Sequence, residues 1–267
     1  MNQPLVSILI VTYNAERYIA ATLRSCLDQT YPATEILVWD NHSTDATRTI
    51  INQIGDSRVH LTAGPSNLGP YQALNELLAQ ARGELIAIQD HDDLWLPTKL
   101  EQQVRYLTDH LSVAACGTLT FYYYEERQTL ISPPNPEQTA FVDHTSLVFR
   151  RSAARYDPRQ PLPDEFFERD TLRRQGTIAC LQTGLTIHRI RHDGQNLSSQ
   201  RVRGNIRGAW SHFRLTGYRD VAGLLMFLGL AYVPAGIRWW LRRHLTLRRA
   251  TWLTREQFTN TYQFTIT

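Results

Sequence analysis

Cysteine is scarce in this chain of 267 residues: Cys26, Cys116 and Cys180 are too few and too scattered for a disulfide framework or a zinc cluster. No basic residue precedes the apolar run Leu5–Val11, and Arg17 comes only later, so the N-terminus does not read as a secretory signal. A reducing, cytoplasmic location is expected. Long apolar runs are missing too. Val221–Ile237 is 17 residues without charge, but a membrane span needs about 20, and Gly223, Gly229, Pro234 and Gly236 interrupt it. No Gly-x-Gly-x-x-Gly follows the first apolar run, which speaks against a nicotinamide dehydrogenase. Gly64–Gly69 has the glycine spacing of a phosphate loop without the Lys-Ser/Thr that must follow. No internal repeat is present. With 42% hydrophobic and 20% charged residues, the composition is that of a globular protein, and the length suits one large domain or a domain with an appendage.

The net charge of +3 hides an asymmetry. Residues 200–267 hold eleven arginines, two acids (Asp220 and Glu256) and four of the six tryptophans, a balance of +9; residues 1–199 sum to −6. An acidic body and a basic, Trp-rich tail are expected to meet different partners.

Along the body, apolar runs alternate with amphipathic stretches at the spacing of a parallel α/β sheet. Leu5–Val11 reads as a buried strand ended by Thr12-Tyr13-Asn14. Ile19, Leu23, Cys26 and Leu27 then form one apolar helix face, broken at Tyr31-Pro32. Glu35–Trp39 is a second strand; Ser43 or Thr44 can cap the following helix, with Asp45 in its first turn. Val59–Thr62 is a short strand, Pro70–Arg82 a helix closed by Gly83, and Leu85–Gln89 a strand running into Asp90-His91-Asp92-Asp93. Leu100, Val104 and Leu107 mark a helix over Pro97–Leu107. Beyond Cys116 the pattern loosens. Phe121–Glu126 reads as an edge strand, Ser132–Pro136 as a Pro-rich loop, Asp143–Arg150 as a strand, Asp164–Gln175 as a helix ended by Gly176, and Thr177–Leu181 as a strand.

In open α/β sheets, ligands sit outside the carboxyl ends of the strands. Thr12-Tyr13-Asn14, Asp40-Asn41 and Asp90–Asp93 all fall at such ends. Single acids there serve as strand ends and helix caps. Three acids within four residues repel unless a cation or hydrogen-bond donors compensate, and a hard divalent ion carrying phosphate oxygens would do so.

These segments resemble family 2 glycosyltransferases: VSILIVTYN around Leu5–Asn14, ILVWDNHSTD over Ile36–Asp45, Asn67-Leu68-Gly69 with Asn75, and RGELIAIQDHDDLWLPTKL over Arg82–Leu100. Order and spacing match across about the first 110 residues, with weaker matches to about residue 200. The resemblance implies an α/β, GT-A fold, a mainly parallel sheet flanked by helices. It comprises a Rossmann-like nucleotide half over 1–110 and an acceptor half over 111–199, and residues 200–267 follow as a helical tail. It also implies inverting transfer of a sugar from a nucleotide-sugar, with UDP or dTDP as the nucleotide, assisted by Mn2+ or Mg2+. By resemblance, Thr12, Tyr13 and Glu16 line the nucleotide pocket and Asp40 hydrogen-bonds the base. Asp90 lies near ribose and sugar, and Asp92 holds the metal with Asp93 as the alternative ligand. Asn41-His42 stands where members often have Asp-Gly. Counting back from Gly176 places Asp164-Glu165 where many members carry Glu-Asp. Either acid could take the proton from the acceptor hydroxyl, with Asp170 as a third choice. Within His188–His192, followed by Asn196 and Ser198, His192 is the expected metal-side histidine, and the flanking arginines suit phosphate.

A sugar nucleotidyltransferase is the rival enzyme class, although Val11–Glu16 lacks the Gly-rich, basic loop it would want. A binding or scaffold protein that keeps the fold without a base is the non-enzymatic alternative. The tail suits an anionic membrane surface, with Trp239-Trp240 and Arg242-Arg243 at headgroup level, or packing on the body or a partner subunit. No groove-reading motif accompanies its charge, so nucleic acid is not expected. The acceptor expected is a glycan or lipid-linked sugar at the inner face of the cell membrane.

Overall fold

A computed structural model describes residues 3–131, 142–152, 155–160, 163–191 and 252–266. The apolar runs form a parallel sheet: β1 (Val6–Thr12), β2 (Thr34–Asp40), β3 (Val59–Ala63) and β4 (Leu85–Asp90), in the spatial order β4-β1-β2-β3. β2 is buried along its whole length and β1 at every position but Val11, because helices cover both faces, as continuous Val/Ile/Leu runs require. Successive side chains go to opposite faces. Ile8, Ile10, Ile36 and Val38 pack with Ile19, Leu23 and Cys26 of α1 (Ile19–Leu27), Ile51 of α2 (Thr47–Ile54) and Leu100, Val104 and Leu107 of α4 (Lys99–Asp109). Leu9, Leu37, Ile86 and Ile88 pack with Ala73, Leu74 and Leu77 of α3 (Pro70–Gln80). Each such aliphatic side chain contributes about 1.5–3 kcal/mol by leaving water.

The second half extends this sheet with mixed strands. β8 (Val148–Arg150) lies antiparallel to β4, and β6 (Val113–Tyr124) antiparallel to β8. β7 (Thr129–Ile131) continues beyond β6. The long β9 (Thr177–Ile190) runs parallel to β6 and also pairs with the two-residue β5 (Leu94–Trp95). α5 (Pro163–Phe166) passes directly into a π-helical turn, Phe167–Leu172.

Several expectations change here. Phe121–Glu126 is no edge strand: Phe121–Tyr124 ends β6, flanked on both sides, with Phe121 and Tyr123 buried, and Glu125 and Glu126 enter a 3₁₀ turn. Only the end of Asp143–Arg150 is strand, since Ser146 turns its hydroxyl onto the Asp143 carbonyl (2.7 Å) in a 3₁₀ turn over His144–Ser146. β9 runs nine residues past Leu181 and takes in His188, Arg189 and Ile190. Gly83 does not cap α3, whose C-cap is Ala81. A Cβ at Gly83 would stand 2.6 Å from the Ser7 nitrogen, so glycine is required by the approach of this turn to β1. Ser43 and Thr44 do not cap α2, which starts at Thr47 after Ala46.

The end of the basic tail packs on the body, one of the arrangements the sequence leaves open. β10 (Trp252–Thr254) pairs antiparallel with β7, and α6 (Arg255–Tyr262) begins on a full capping box between Thr254 and Gln257. Phe258 and Ile266 are buried among Phe121, Tyr123, Leu130 and Ile187. The stretch carrying Trp239-Trp240 and Val221–Ile237 lies outside the described residues.

Candidate active site

β1, β2 and β4 end side by side: Thr12 is in register with Asp40, and Val11 with Asp90. Parallel pairing therefore brings the three polar clusters onto one rim. Thr12 is buried, and its hydroxyl has no hydrogen-bond partner among the described residues, while Tyr13 beside it is 45% exposed. The loops behind the rim are tied by side chain–backbone hydrogen bonds. The Asn14 N–H donates to Ser43 Oγ (3.0 Å), Thr44 N–H to Asn14 Oδ1 (2.9 Å) and Ala46 N–H to Glu16 Oε2 (2.9 Å). Glu16 thus braces the start of α2. Asp45 joins it, accepting from the N–H groups of Glu16 and Thr47 (3.1 and 3.0 Å).

Asp40 is fully buried. Its carboxylate accepts from the Ser43 N–H (3.1 Å) and lies 3.4 Å from Arg48 Nε. Asn41 explains why an amide serves at its position. Its Nδ2 donates to Asn67 (2.8 Å) and its Oδ1 accepts from the Leu68 N–H (2.8 Å), bolting this loop to the Asn67-Leu68-Gly69 turn. His42 next to it has φ 72°, a left-handed conformation in which glycine is the usual residue.

The acids after β4 have separate surroundings. Asp93 is buried and accepts from His188 Nδ1 (2.9 Å) and from the Arg189 N–H (2.8 Å). Burial alone would lower the His188 pKa; the Asp93 carboxylate, with its hydrogen bond and charge, outweighs it and pushes His188 up to about 10. Asp92 faces Arg191 Nε at 3.1 Å, and its carbonyl accepts from Arg189 Nε (3.0 Å). Asp90 is pushed up to about 8, by burial first and then by the charges of Asp93 and Asp92. The charge of His188 offsets this only in part, and ligating atoms of Asp90, Asp93 and His188 lie within 4.8 Å of one another. Two carboxylates, and an imidazole once a bound ion has displaced its proton, suit a divalent ion of the Mn2+ or Mg2+ kind, so these residues fit a cation. The set differs from the expected pair. Asp92 is engaged with Arg191, and His192 lies outside the described residues.

Across the site, Asp164 on α5 is partly buried, and its charge adds to the upward shift of Asp90 and acts on His144 and Tyr156. Glu165 shares that helix; its side chain, and that of Asp170 in the π-helical turn, lie outside the described residues. Tyr156 braces this region. Its ring stacks on Phe167 at 4.0 Å and its hydroxyl pairs with His144 Nε2 at 2.8 Å. Its backbone is held in both directions by the Asn75 amide (2.8 and 2.9 Å).

A model of the family described as "Glycosyl transferase family 2" matches residues 7–167. The chain belongs to this family. An uncharacterized glycosyltransferase of Haemophilus influenzae is 39% identical over 130 residues, covering 48% of this chain and 52% of the relative. The UDP-Glc:alpha-D-GlcNAc-diphosphoundecaprenol beta-1,3-glucosyltransferase WfaP of Escherichia coli is 43% identical over 149 residues, 54% of this chain and 58% of the relative. The chain spans about half the length of the curated relatives it matches. Among solved structures, the mannosyltransferase PcManGT from Pyrobaculum calidifontis, in complex with GDP-Man and Mn2+, superposes with a TM-score of 0.68 at 17% identity, over 98% of this chain and 85% of that one. S. aureus TarS with UDP-GlcNAc gives 0.63 at 19%, over 84% and 70%. The fold is GT-A, mixed α/β with a mainly parallel central sheet.

Within the family 2 frame, sequence reasoning missed His144 and Tyr156, and in the His-Arg-Ile-Arg-His run it chose His192 and read the arginines as phosphate contacts rather than as partners of the acids. His188 and Arg191 were visible in the His-Arg-Ile-Arg-His run. Strand alternation was the unread signal: one register places His188 toward Asp93 and sends Arg189 and Arg191 to the Tyr18 side. Nothing in the sequence marks His144 or Tyr156.

Proposed function

We propose that this family 2 protein is an inverting glycosyltransferase. It moves a hexosyl or related sugar from a UDP- or dTDP-sugar to a lipid-linked or growing cell-surface glycan. The observation that carries the reading is the single rim on which Thr12, Asp40 and Asp90 end three adjacent parallel strands, beside the Asp90–Asp93–His188 group. A relative whose name states UDP-Glc and a diphosphoundecaprenol-linked acceptor supports the donor and acceptor class. The PcManGT complex with Mn2+ supports a divalent cation.

In this reading Thr12 and Tyr13 face the nucleoside, with Glu16 fixing their loop, Asp40 accepts from the base, and Asp90 meets ribose and sugar. Asp92, or Asp93 with His188, holds the cation, and His192 is a further donor to it. When bound, the cation neutralises the diphosphate and so makes it a better leaving group. Asp164 or Glu165 takes the proton of the acceptor hydroxyl. That oxygen attacks the anomeric carbon opposite the diphosphate, the bond to the diphosphate breaks, and configuration inverts. We place the protein peripherally at the inner face of the membrane, on the charge and tryptophan content of residues 200–267. Among the described residues, no helix is long and apolar enough to cross a membrane.

The test is a thermal-shift screen of UDP-, dTDP- and GDP-sugars with and without Mn2+, followed by assay of the stabilising donor on a lipid-linked acceptor. A ligand at 100 times its Kd stabilises by about 2.7 kcal/mol. Stabilisation by a UDP- or dTDP-sugar that needs Mn2+ is expected, with a glycosylated product. Response to GDP-sugars alone, or release of pyrophosphate from a nucleoside triphosphate and sugar phosphate, overturns the reading.

A further inference from the structure

The carboxyl end of β4 is held differently on its two sides. β1 stays in register with it as far as Asp90, whereas β8 pairs with it only over Leu85–Ala87. Beyond Ala87 the segment 145–147 takes over on the β8 side. The Leu147 carbonyl accepts from the Ile88 N–H (3.1 Å), and Thr145 Oγ1 from the Asp90 N–H (3.4 Å). The Thr145 hydroxyl donates in turn to Gln89 Oε1 (2.9 Å). Gln89 Nε2 reaches forward to the Asp93 carbonyl (2.8 Å), across the turn that the Asp93 N–H closes on the Asp90 carbonyl (3.2 Å). A carbonyl only accepts, so the Gln89 amide has one orientation and its oxygen faces the hydroxyl. Thr145 is itself anchored. Its carbonyl accepts from Trp95 Nε1 (2.9 Å), and Gln103 Nε2 holds the carbonyl of Ser146 beside it (2.9 Å). Gln89, Trp95, Gln103 and Thr145 are all buried, so water does not compete for these bonds.

Asp90 and Asp93 carry like charges within one turn, and their repulsion works to open it. Ligating atoms of both, with His188, nevertheless stay within 4.8 Å of one another. We propose that Thr145 and Gln89 are positioning residues of this acid turn, holding Asp90 and Asp93 at the separation from which one cation can be shared. The inference rests on the cation reading above and adds to it what sets the spacing of the ligands. Gln89 grips the far end of the turn, at Asp93. Thr145 grips the near end, at Asp90, and orients Gln89. Neither side chain needs to touch cation or donor to do so. Groups that orient ligands from behind typically matter 10- to 100-fold in metal affinity.

Titration of the full chain with Mn2+, with and without UDP, tests this when read by the electron paramagnetic resonance of the free ion. The temperature is one at which circular dichroism shows each variant folded. Thr145→Val keeps the shape and removes the hydroxyl, and Mn2+ affinity should fall about 10- to 100-fold. Thr145→Ser keeps the hydroxyl and should restore most of the loss. Gln89→Met/Thr145→Val replaces both polar partners by apolar groups of similar size, which spares the fold an unpaired amide oxygen. It should show the same loss even if Thr145→Val alone fails to fold. A folded variant without the hydroxyl that binds Mn2+ as tightly as the wild type overturns the positioning role and leaves the glycosyltransferase reading intact. So does an equal loss in Thr145→Ser. A wild type that binds no Mn2+ under either condition removes the cation reading and this inference with it.

Discussion

At the scale of single residues, the chemistry turns on where carboxylates find positive charge. Asp92 and Asp93 have partners of their own in Arg191 and His188, whereas Asp90 is left between burial and its neighbours. The charge of Asp164 acts on Asp90, and the proposed base can be tested by charge removal. Asp164→Asn and Glu165→Gln preserve size; the one that removes the base should lower kcat by about 10²-fold or more, with donor affinity nearly unchanged. If steady-state kinetics put the large loss in Asp170→Asn, the base lies in the π-helical turn instead.

Lys99, the only lysine in the chain, is 0% exposed. Its ammonium lies 3.8 Å from the Trp95 ring centroid and has no hydrogen-bond partner among the described residues. Burial pushes its pKa down to about 7 from the usual 10.5. Between those values the unfolded chain binds the proton and the folded one does not, so stability rises as pH climbs from about 7 toward 10.5. Below pH 7 the penalty is at its full size. Lys99→Met fills similar volume without charge and should stabilise by about 1–3 kcal/mol at pH 6, the ring contact offsetting part of the gain. The advantage should shrink toward pH 10. Denaturant melts at both pH values check this; a less stable Lys99→Met at pH 6 means the ammonium is satisfied.

At the scale of elements, the last described residues complete the sheet. β10 closes the edge left by β7, and α6 lays Phe258 edge-on against Phe121 at 5.0 Å. Phe258→Ala would open a cavity between α6 and β6, at a cost of about 3–5 kcal/mol, and the thermal midpoint should fall by roughly 8 °C or more. Donor-site residues before position 100 are remote in sequence from this edge, so Mn2+–UDP binding at low temperature should persist. A midpoint within about 1 °C of the wild type would mean that β10 and α6 do not pack on the body in solution.

For the whole molecule, charge is divided between body and tail. A segment of +9 with four tryptophans and the stretch Val221–Ile237 has the two attractions that interfacial binding uses. Each basic residue near an anionic leaflet adds about 1 kcal/mol. Replacing Arg242, Arg243, Arg248 and Arg249 together by Gln should weaken binding to phosphatidylglycerol vesicles by at least about a hundredfold, and high salt should mimic the change. Because β10 and α6 belong to the body, removal of residues 200–267 would confound membrane loss with core damage, and point changes before Trp252 avoid this. Vesicle sedimentation that is insensitive to both salt and the four substitutions would assign the arginines to another partner.

The sequence by itself determined the first half of the sheet, β1 to β4 with their helices. Its apolar runs are long enough to be buried strands, its helices are short-range amphipathic patterns, and its polar residues fall where each strand must end. The second half, from β6 onward, was decided only by tertiary structure. β6 looks like an edge in isolation and becomes interior because β9, more than fifty residues later, runs along its full length. The same pairing brings His188 to Asp93 and Arg191 to Asp92 across 95 and 99 positions, respectively. Gly83 has a local explanation as a helix cap, yet the glycine is required by a close approach to β1. Charge set residues 252–266 with the tail, while the burial of Phe258 and Ile266 places them in the body. Periodicity and strand-end chemistry are local and survive in one dimension. Partnership between distant charges depends on strand register, and register is settled only when the sheet assembles.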